Sequence, residues 1–290
     1  MRASGILLPI SSLPSKYGIG CFDEKAYQFV DILRTAGQRY WQILPLGPTS
    51  YGDSPYQSFS TFAGNPYFIS LDELVNQGLL SREECEQCDF TGHPNYVEYE
   101  KLYRNRFPLL KRAYERSHIG KVPDFHVFIE ENASWLTDYA LFMAIKDKKG
   151  GLSFAEWEDE IKTRQPEAME KYRLELQEDV YFYMFLQYEF FRQWRQLKQY
   201  ANQNGIQIVG DIPIYVAYDS ADSWAGKELF QFTENLEPVA VAGCPPDGFS
   251  ATGQLWGNPL YNWDYHKETG FDWWIRRIRH CTQLYDMVRI

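Results

Sequence analysis

The 290-residue chain is 44% hydrophobic and 23% charged, ordinary globular values that supply a core for one large domain or two ordinary ones. A formal net charge of −10 argues against a nucleic-acid partner, which would call for a basic stripe, and disfavours an anionic membrane surface or a phosphorylated substrate. Aromatic content is high at 17%; with bases disfavoured by charge, rings that stack on the C–H faces of sugars make a neutral carbohydrate the leading ligand class.

The first apolar run is broken by Pro9, so no signal-peptide core is present, and no stretch approaches the roughly 20 apolar residues of a membrane span. Five scattered cysteines do not suggest a disulfide framework, and a cytoplasmic chain is expected.

In chain order, GILLPI (5–10) predicts a buried strand bounded by Gly, Pro and Ser. Asp23 predicts the N-cap of a helix with Ala26, Phe29, Val30 and Leu33 on one face, and Gly37 its stop. YWQILPL (40–46) predicts a second strand, and strand, helix, strand at this spacing is a βαβ unit with a parallel pair. Residues 47–67 follow as an aromatic, turn-rich loop.

Residues 71–204 are mostly helical. A capping box at Ser153 and Glu156 is expected to open one helix. Pro166 is expected to open another that runs to Gly205, with Tyr172, Leu176, Val180, Tyr183, Phe190 and Trp194 on its apolar stripe. IQIVGD (206–211) predicts a third strand ending in a carboxylate. Residues 245–264, PPDGFSATGQLWGNPLYNWD, show neither helical nor strand period and read as an ordered, aromatic binding loop. Residues 271–285 predict a helix with Trp274, Ile275, Ile278 and Cys281 inward, and DMVRI (286–290) a fourth strand.

The expected fold class is therefore α/β: the first half of a (β/α)8 TIM barrel, with residues 1–70 holding strands 1–2 and 71–204 a helical insertion. Residues 205–290 would hold strands 3–4 with a long lid loop, 245–264. In such barrels the site lies at the strand C-termini, where both aromatic loops would meet.

Asp211 stands at such a strand end, a position equally open to a carboxylate that closes a strand and starts a turn. Asp247, between Pro-Pro and Gly, is explained equally by turn chemistry. Trp256, flanked by Gln254, Gly257 and Asn258, reads as a loop ring that meets ligand. Arg289 within an apolar strand demands a carboxylate partner or a site. Cys85 and Cys88 form a lone CxxC among acidic residues, unsuited to a thiolate. The five histidines have no metal-ligand spacing, and no Walker or dinucleotide motif is present.

The phrases SLPSKYGIG, YWQILPLGPTSYGDSPYQSFSTFAGNPY, GDIPIYV and PPDGFSATGQLWGNPLY resemble the signature segments of the 4-α-glucanotransferases, also called amylomaltases or disproportionating enzymes. The resemblance runs from the first residues to Ile290, loosely through the helical insertion. It implies transfer of an α-1,4-glucan segment to the 4-hydroxyl of another glucan or glucose by a retaining double displacement, with no metal or organic cofactor. The two carboxyls of such an enzyme stand roughly 5–5.5 Å apart. By the same resemblance Ser54 and Tyr56 contact glucan, Asp211 is the sugar-contacting Asp after strand three, and Asp247, Gln254, Trp256 and Asn258 belong to a lid. Arg289 matches the Arg of the family phrase R-[IVL]-D-H, so the nucleophile would follow Ile290, and the acid/base would lie further on. The expectation is an inactive N-terminal half whose open strand edges hinder folding alone. A related α-glucan hydrolase and a catalytically dead glucan-binding protein remain open.

Overall fold

The computed structural model describes residues 2–50, 52–93 and 95–290. Four strands form one parallel sheet: β1 (Gly5–Leu7), β2 (Tyr40–Gln42), β3 (Gln207–Asp211) and β6 (Met287–Arg289), in the order β1-β2-β3-β6. The registers Gly5↔Tyr40, Tyr40↔Gln207 and Asp211↔Arg289 bring the four C-terminal ends to one edge. A separate antiparallel hairpin pairs β4 (Val241–Cys244) with β5 (Gln254–Pro259).

All four sequence-expected strands exist but are shorter. Pro9 and Pro45 lack the N–H that a parallel ladder requires, which trims β1 and β2. The expected buried character of strand one is not found. Ile6 and Leu7, which point to opposite faces, are both exposed, so neither face of β1 is covered there, and an apolar run does not reveal whether a strand is covered.

The helix Glu24–Thr35 follows its cap. Asp23 accepts from the Lys25 N–H at 2.9 Å, Ala26, Val30 and Leu33 are buried, and Gly37 takes the left-handed φ of +69° that ends the helix. The capping box at Ser153 and Glu156 forms, yet it opens only a 3-10 turn, Phe154–Glu156. The helix expected from Pro166 to Gly205 is two helices, Pro166–Glu175 and Gln177–Gln203, broken at Leu176. Tyr172, Leu176 and Val180 all lie on the same apolar period, so the stripe runs through the break without marking it.

The helix Asp272–Leu284 turns Trp273, Arg277 and Cys281 inward, an i, i+4, i+8 series through an arginine, while Ile275 is exposed. Of the expected inward residues Cys281 is buried and Trp274 and Ile278 pack against the core, and only Ile275 points out. Arg277 is an inward residue not expected; its guanidinium meets the carbonyls of Pro213 and Ile214 and the Tyr261 hydroxyl, which offset its burial.

Residues 245–264 also depart from expectation. Instead of an irregular loop they hold the turn of the hairpin, strand β5, and the start of a helix, Trp263–Glu268. The strand period is masked by Gly257, whose φ of +78° interrupts the alternation, and the pairing partner β4 lies upstream of the stretch.

The long helix Gln177–Gln203 packs on Glu24–Thr35, on β3 and on Ala133–Lys148, so sheet and helices share one hydrophobic core. Two buried glutamines of this helix secure the loop that follows β2. The Gln187 amide accepts from the Gly64 N–H at 2.7 Å and donates to the Gly64 carbonyl at 2.9 Å, and Gln193 accepts from the Ser70 N–H at 2.7 Å. Each satisfies backbone that would otherwise be buried unpaired.

Gly210, one residue before Asp211, lies against the face of Tyr285, and a Cβ there would enter the ring. Gly210→Ala should therefore lower stability by about 1–3 kcal/mol, the usual cost of overpacking a core; chemical denaturation of variant and parent checks it.

Candidate functional site

The candidate residues gather at the C-terminal edge of the sheet. The Asp211↔Arg289 register sets the two side chains beside each other on neighbouring strands. Arg289 grips Asp211 with two bonds, Nε to Oδ1 at 3.1 Å and a terminal nitrogen to Oδ2 at 2.6 Å. Asp211 is 2% exposed, so this fork is what lets its carboxylate stay inside the protein. The Tyr56 hydroxyl donates to Asp211 Oδ2 at 2.6 Å and receives an Arg289 N–H at 3.2 Å.

Tyr56 reaches this position because its loop is tightly folded. The Ser54 hydroxyl accepts from the Tyr56 N–H at 3.2 Å, the Ser54 carbonyl accepts from the Gln57 N–H at 3.1 Å, and Thr49 and Ser58 form an antiparallel bridge. Burial, then the bond to Asp211, pushes the Tyr56 phenol above its ordinary range, so it stays a donor through neutral pH. The bond to Asp211 likewise raises the Arg289 guanidinium, which remains charged.

The remaining expected residues lie on the hairpin. The Asp247 carboxylate accepts from the N–H groups of Phe249 and Ser250 at 2.9 and 2.8 Å, a turn-stabilising role on an exposed tip. Trp256 is half-exposed, donates from its indole to Gln254 at 2.9 Å and sits 6.2 Å from the Tyr215 ring. Asn258 is only 4% exposed; its amide donates to the Val216 carbonyl at 2.8 Å and pairs with Gln57. Thus Tyr56, Asp211 and Arg289 converge, with Ser54 bonded to the Tyr56 backbone, whereas among the described residues Asp247, Gln254 and Trp256 make no hydrogen bond to that cluster. Gln57 and Arg277 were missed by sequence reasoning. Gln57 gave no signal, whereas Arg277 could have been found from the Trp273–Arg277–Cys281 spacing.

Among the described residues no group of three or more His, Cys, Asp or Glu could hold a metal ion, and no helix is long and apolar enough to cross a membrane. All five cysteines are free, with Cys85 buried and its thiol pushed up to about 11 by burial, which removes the nucleophilic thiolate from the CxxC.

The family profile described as 4-alpha-glucanotransferase matches residues 8–290. The chain belongs to the 4-α-glucanotransferase family. It is 52% identical over 282 residues to the 4-alpha-glucanotransferase of Clostridium butyricum, covering 97% of this chain and 58% of that protein. It is 47% identical over 294 residues to that of Thermus thermophilus, covering 100% and 58%. The fold matches the amylomaltase from Streptococcus agalactiae, solved in complex with acarbose, at a TM-score of 0.96 and 47% identity, covering 100% of this chain and 59% of that one. The chain thus spans less than two thirds of the length of these relatives.

In this member of the family a small cavity of about 40 Å³ lies beneath the candidate site, lined by Asp211, Phe190, Arg277, His280 and Tyr285 among others. The His280 imidazole packs against Phe62, Trp135 and Phe191, and burial pulls it down to about 4, opposed only by the Phe62 backbone. An unfolded histidine titrates near 6.5, so the unfolded state binds the extra proton between those values. The contribution is therefore fully present above pH 6.5 and is lost as pH falls towards 4, by roughly 3 kcal/mol. His280→Leu should flatten the acid limb of a stability–pH profile followed by urea denaturation; an unchanged slope would show that His280 is not its source.

Proposed function

We propose that the chain is the glucan-binding part of a 4-α-glucanotransferase, which moves a segment of an α-1,4-glucan to the 4-hydroxyl of an acceptor glucan or glucose. The observation that carries this reading is the Tyr56–Asp211–Arg289 cluster at the C-terminal edge of a parallel sheet, in a chain of this family. Support for the ligand class comes from the acarbose bound by the Streptococcus agalactiae relative.

On this reading the four parallel strands are the first half of a (β/α)8 barrel, 71–204 is its helical insertion, and the β4–β5 hairpin is the lid. Asp211 accepts hydroxyls of the bound sugar on the oxygen lone pairs that Arg289 and Tyr56 leave free. Ser54, Trp256, Gln254 and Asp247 frame the path of the glucan, and Trp256 offers a sugar its exposed face. Arg289 stands two residues before the nucleophile of the family phrase, where its charge favours an ionised carboxylate. The nucleophile attacks the anomeric carbon while a carboxylic acid protonates the leaving oxygen; the acceptor hydroxyl then displaces the nucleophile, giving its proton to the same acid/base. We place both carboxylates after Ile290 in family order, so the 290 residues bind glucan and turnover requires the longer chain. The five free cysteines support a reducing compartment, the cytoplasm.

A chain extended to the length of its relatives should convert maltotriose into glucose and longer maltooligosaccharides, read by chromatography. Glucose and maltose with no longer product would mean a hydrolase instead. The 290-residue chain should show a saturable change in tryptophan fluorescence on maltoheptaose titration, without products. A flat titration would count against the binding role.

A further inference from the structure

We propose that Gln57 is a positioning residue for glucan transfer: its side-chain amide clasps the root of the β4–β5 hairpin to the turn that holds Tyr56 on Asp211. The inference rests on the transferase reading above and extends it to a residue that touches neither the Asp211 carboxylate nor the exposed rings of the hairpin.

The clasp is fully satisfied. Gln57 Nε2 donates to Asn258 Oδ1 at 3.1 Å and to the Trp256 carbonyl at 3.3 Å, and Asn258 Nδ2 returns a bond to Gln57 Oε1 at 3.4 Å. Asn258 spends its other N–H on the Val216 carbonyl, beyond β3, so the pair joins the loop after β2, the segment after β3 and strand β5. Gln57 itself is anchored on both backbone sides, by Ser54 and by the Ser50 N–H at 3.1 Å.

Besides the Asn258–Val216 bond at its root and the Tyr215 ring beside Trp256, this contact ties the hairpin to the rest of the protein. Among the described residues, Gln57 is the one residue outside the hairpin that hydrogen-bonds to 241–257; the other bonds there join hairpin residues to each other, as in Asp247 to Ser250 and Trp256 to Gln254. Phe249 and Leu255 are almost wholly exposed, so little packing holds the outer arm. Gly257, with φ +78°, lies between the two clasped positions Trp256 and Asn258, the place where the exposed arm meets the buried root. Such a residue turns freely unless its neighbours are fixed. The amide of Gln57 fixes both.

The consequence is chemical. A glycosyl-enzyme partitions between a sugar 4-hydroxyl and water, either of which attacks the glycosyl carbon, releases the carboxylate and yields its proton to the acid/base. Which one wins depends on how closely the arm carrying Trp256 covers the site above Tyr56. An arm loosened at Gln57 admits water and holds the acceptor poorly.

The test uses Gln57→Leu and Gln57→Glu in a chain extended to the length of the relatives. Gln57 is half-buried at the surface, so both variants should melt close to the parent. Leu removes the clasp; Glu keeps an acceptor for Asn258 Nδ2 but loses the donor to Trp256. With maltotriose, both should raise the ratio of hydrolysis to transfer several-fold and raise KM for the acceptor more than they lower kcat. An unchanged ratio in both variants, or an activity loss that only tracks melting temperature, would overturn the clasp. A parent that makes no product longer than maltotriose would instead defeat the transferase reading. The clasp then stands or falls on acrylamide quenching of Trp256, isolated by difference against Trp256→Phe. Quenching should rise in Gln57→Leu, and equal quenching would overturn the proposal.

Discussion

A buried carboxylate needs hydrogen-bonding partners in place of water, and the register between β3 and β6 supplies one in Arg289. Asp211 and Arg289 are opposite residues of a parallel pair, so the fork between them is set by backbone geometry before any side chain chooses a rotamer. Much else follows. Gly210 is small so that Tyr285 can lie against β3, Tyr56 is brought over the pair by a loop that two buried glutamines secure, and the hairpin is tied in turn to that loop. The charge of −10 sharpens the need, because the protein's own field opposes a further buried anion.

The fold was legible where local chemistry decides it. Asp23 and Gly37 bracket a helix because a carboxylate satisfies its first N–H groups and a glycine accepts the left-handed residue after its end. The strand ending in Asp211 was readable for a similar reason, as an apolar run closed by a carboxylate. What failed to show in the sequence depends on partners distant in the chain. The break at Leu176 is set by packing, the solvent exposure of β1 by the lack of cover on either face, and the strand in 254–259 by a partner whose Gly243 fits under the Gln254 backbone.

The site divides along the same line. Asp211 and Arg289 pair as residue types suggest, since an arginine in an apolar strand calls for a carboxylate and the buried carboxylate gains a cation, whereas Tyr56 was indicated only by the family resemblance. Asn258 shows the opposite case. As a residue type it suits a sugar hydroxyl, but three of its hydrogen-bonding groups meet protein, and only coordinates reveal that Gln57 is the partner. Amides carry no periodicity and no charge, so an amide pair between remote loops leaves no trace in a single sequence.

The order of strands in the sheet also sets an order in time. β1 and β2 are joined by one helix and can pair early, but Tyr40 must wait for Gln207, with the whole helical block synthesised between them. Closing so long a loop is slow unless the intervening chain has already compacted. The helices of 99–203 are built from local contacts, and the last of them, Gln177–Gln203, delivers β3 to its place through a short turn at Gly205. The helical block is therefore the spacer that sets how far β2 and β3 stand apart along the chain, and the Asp211–Arg289 edge is assembled across it.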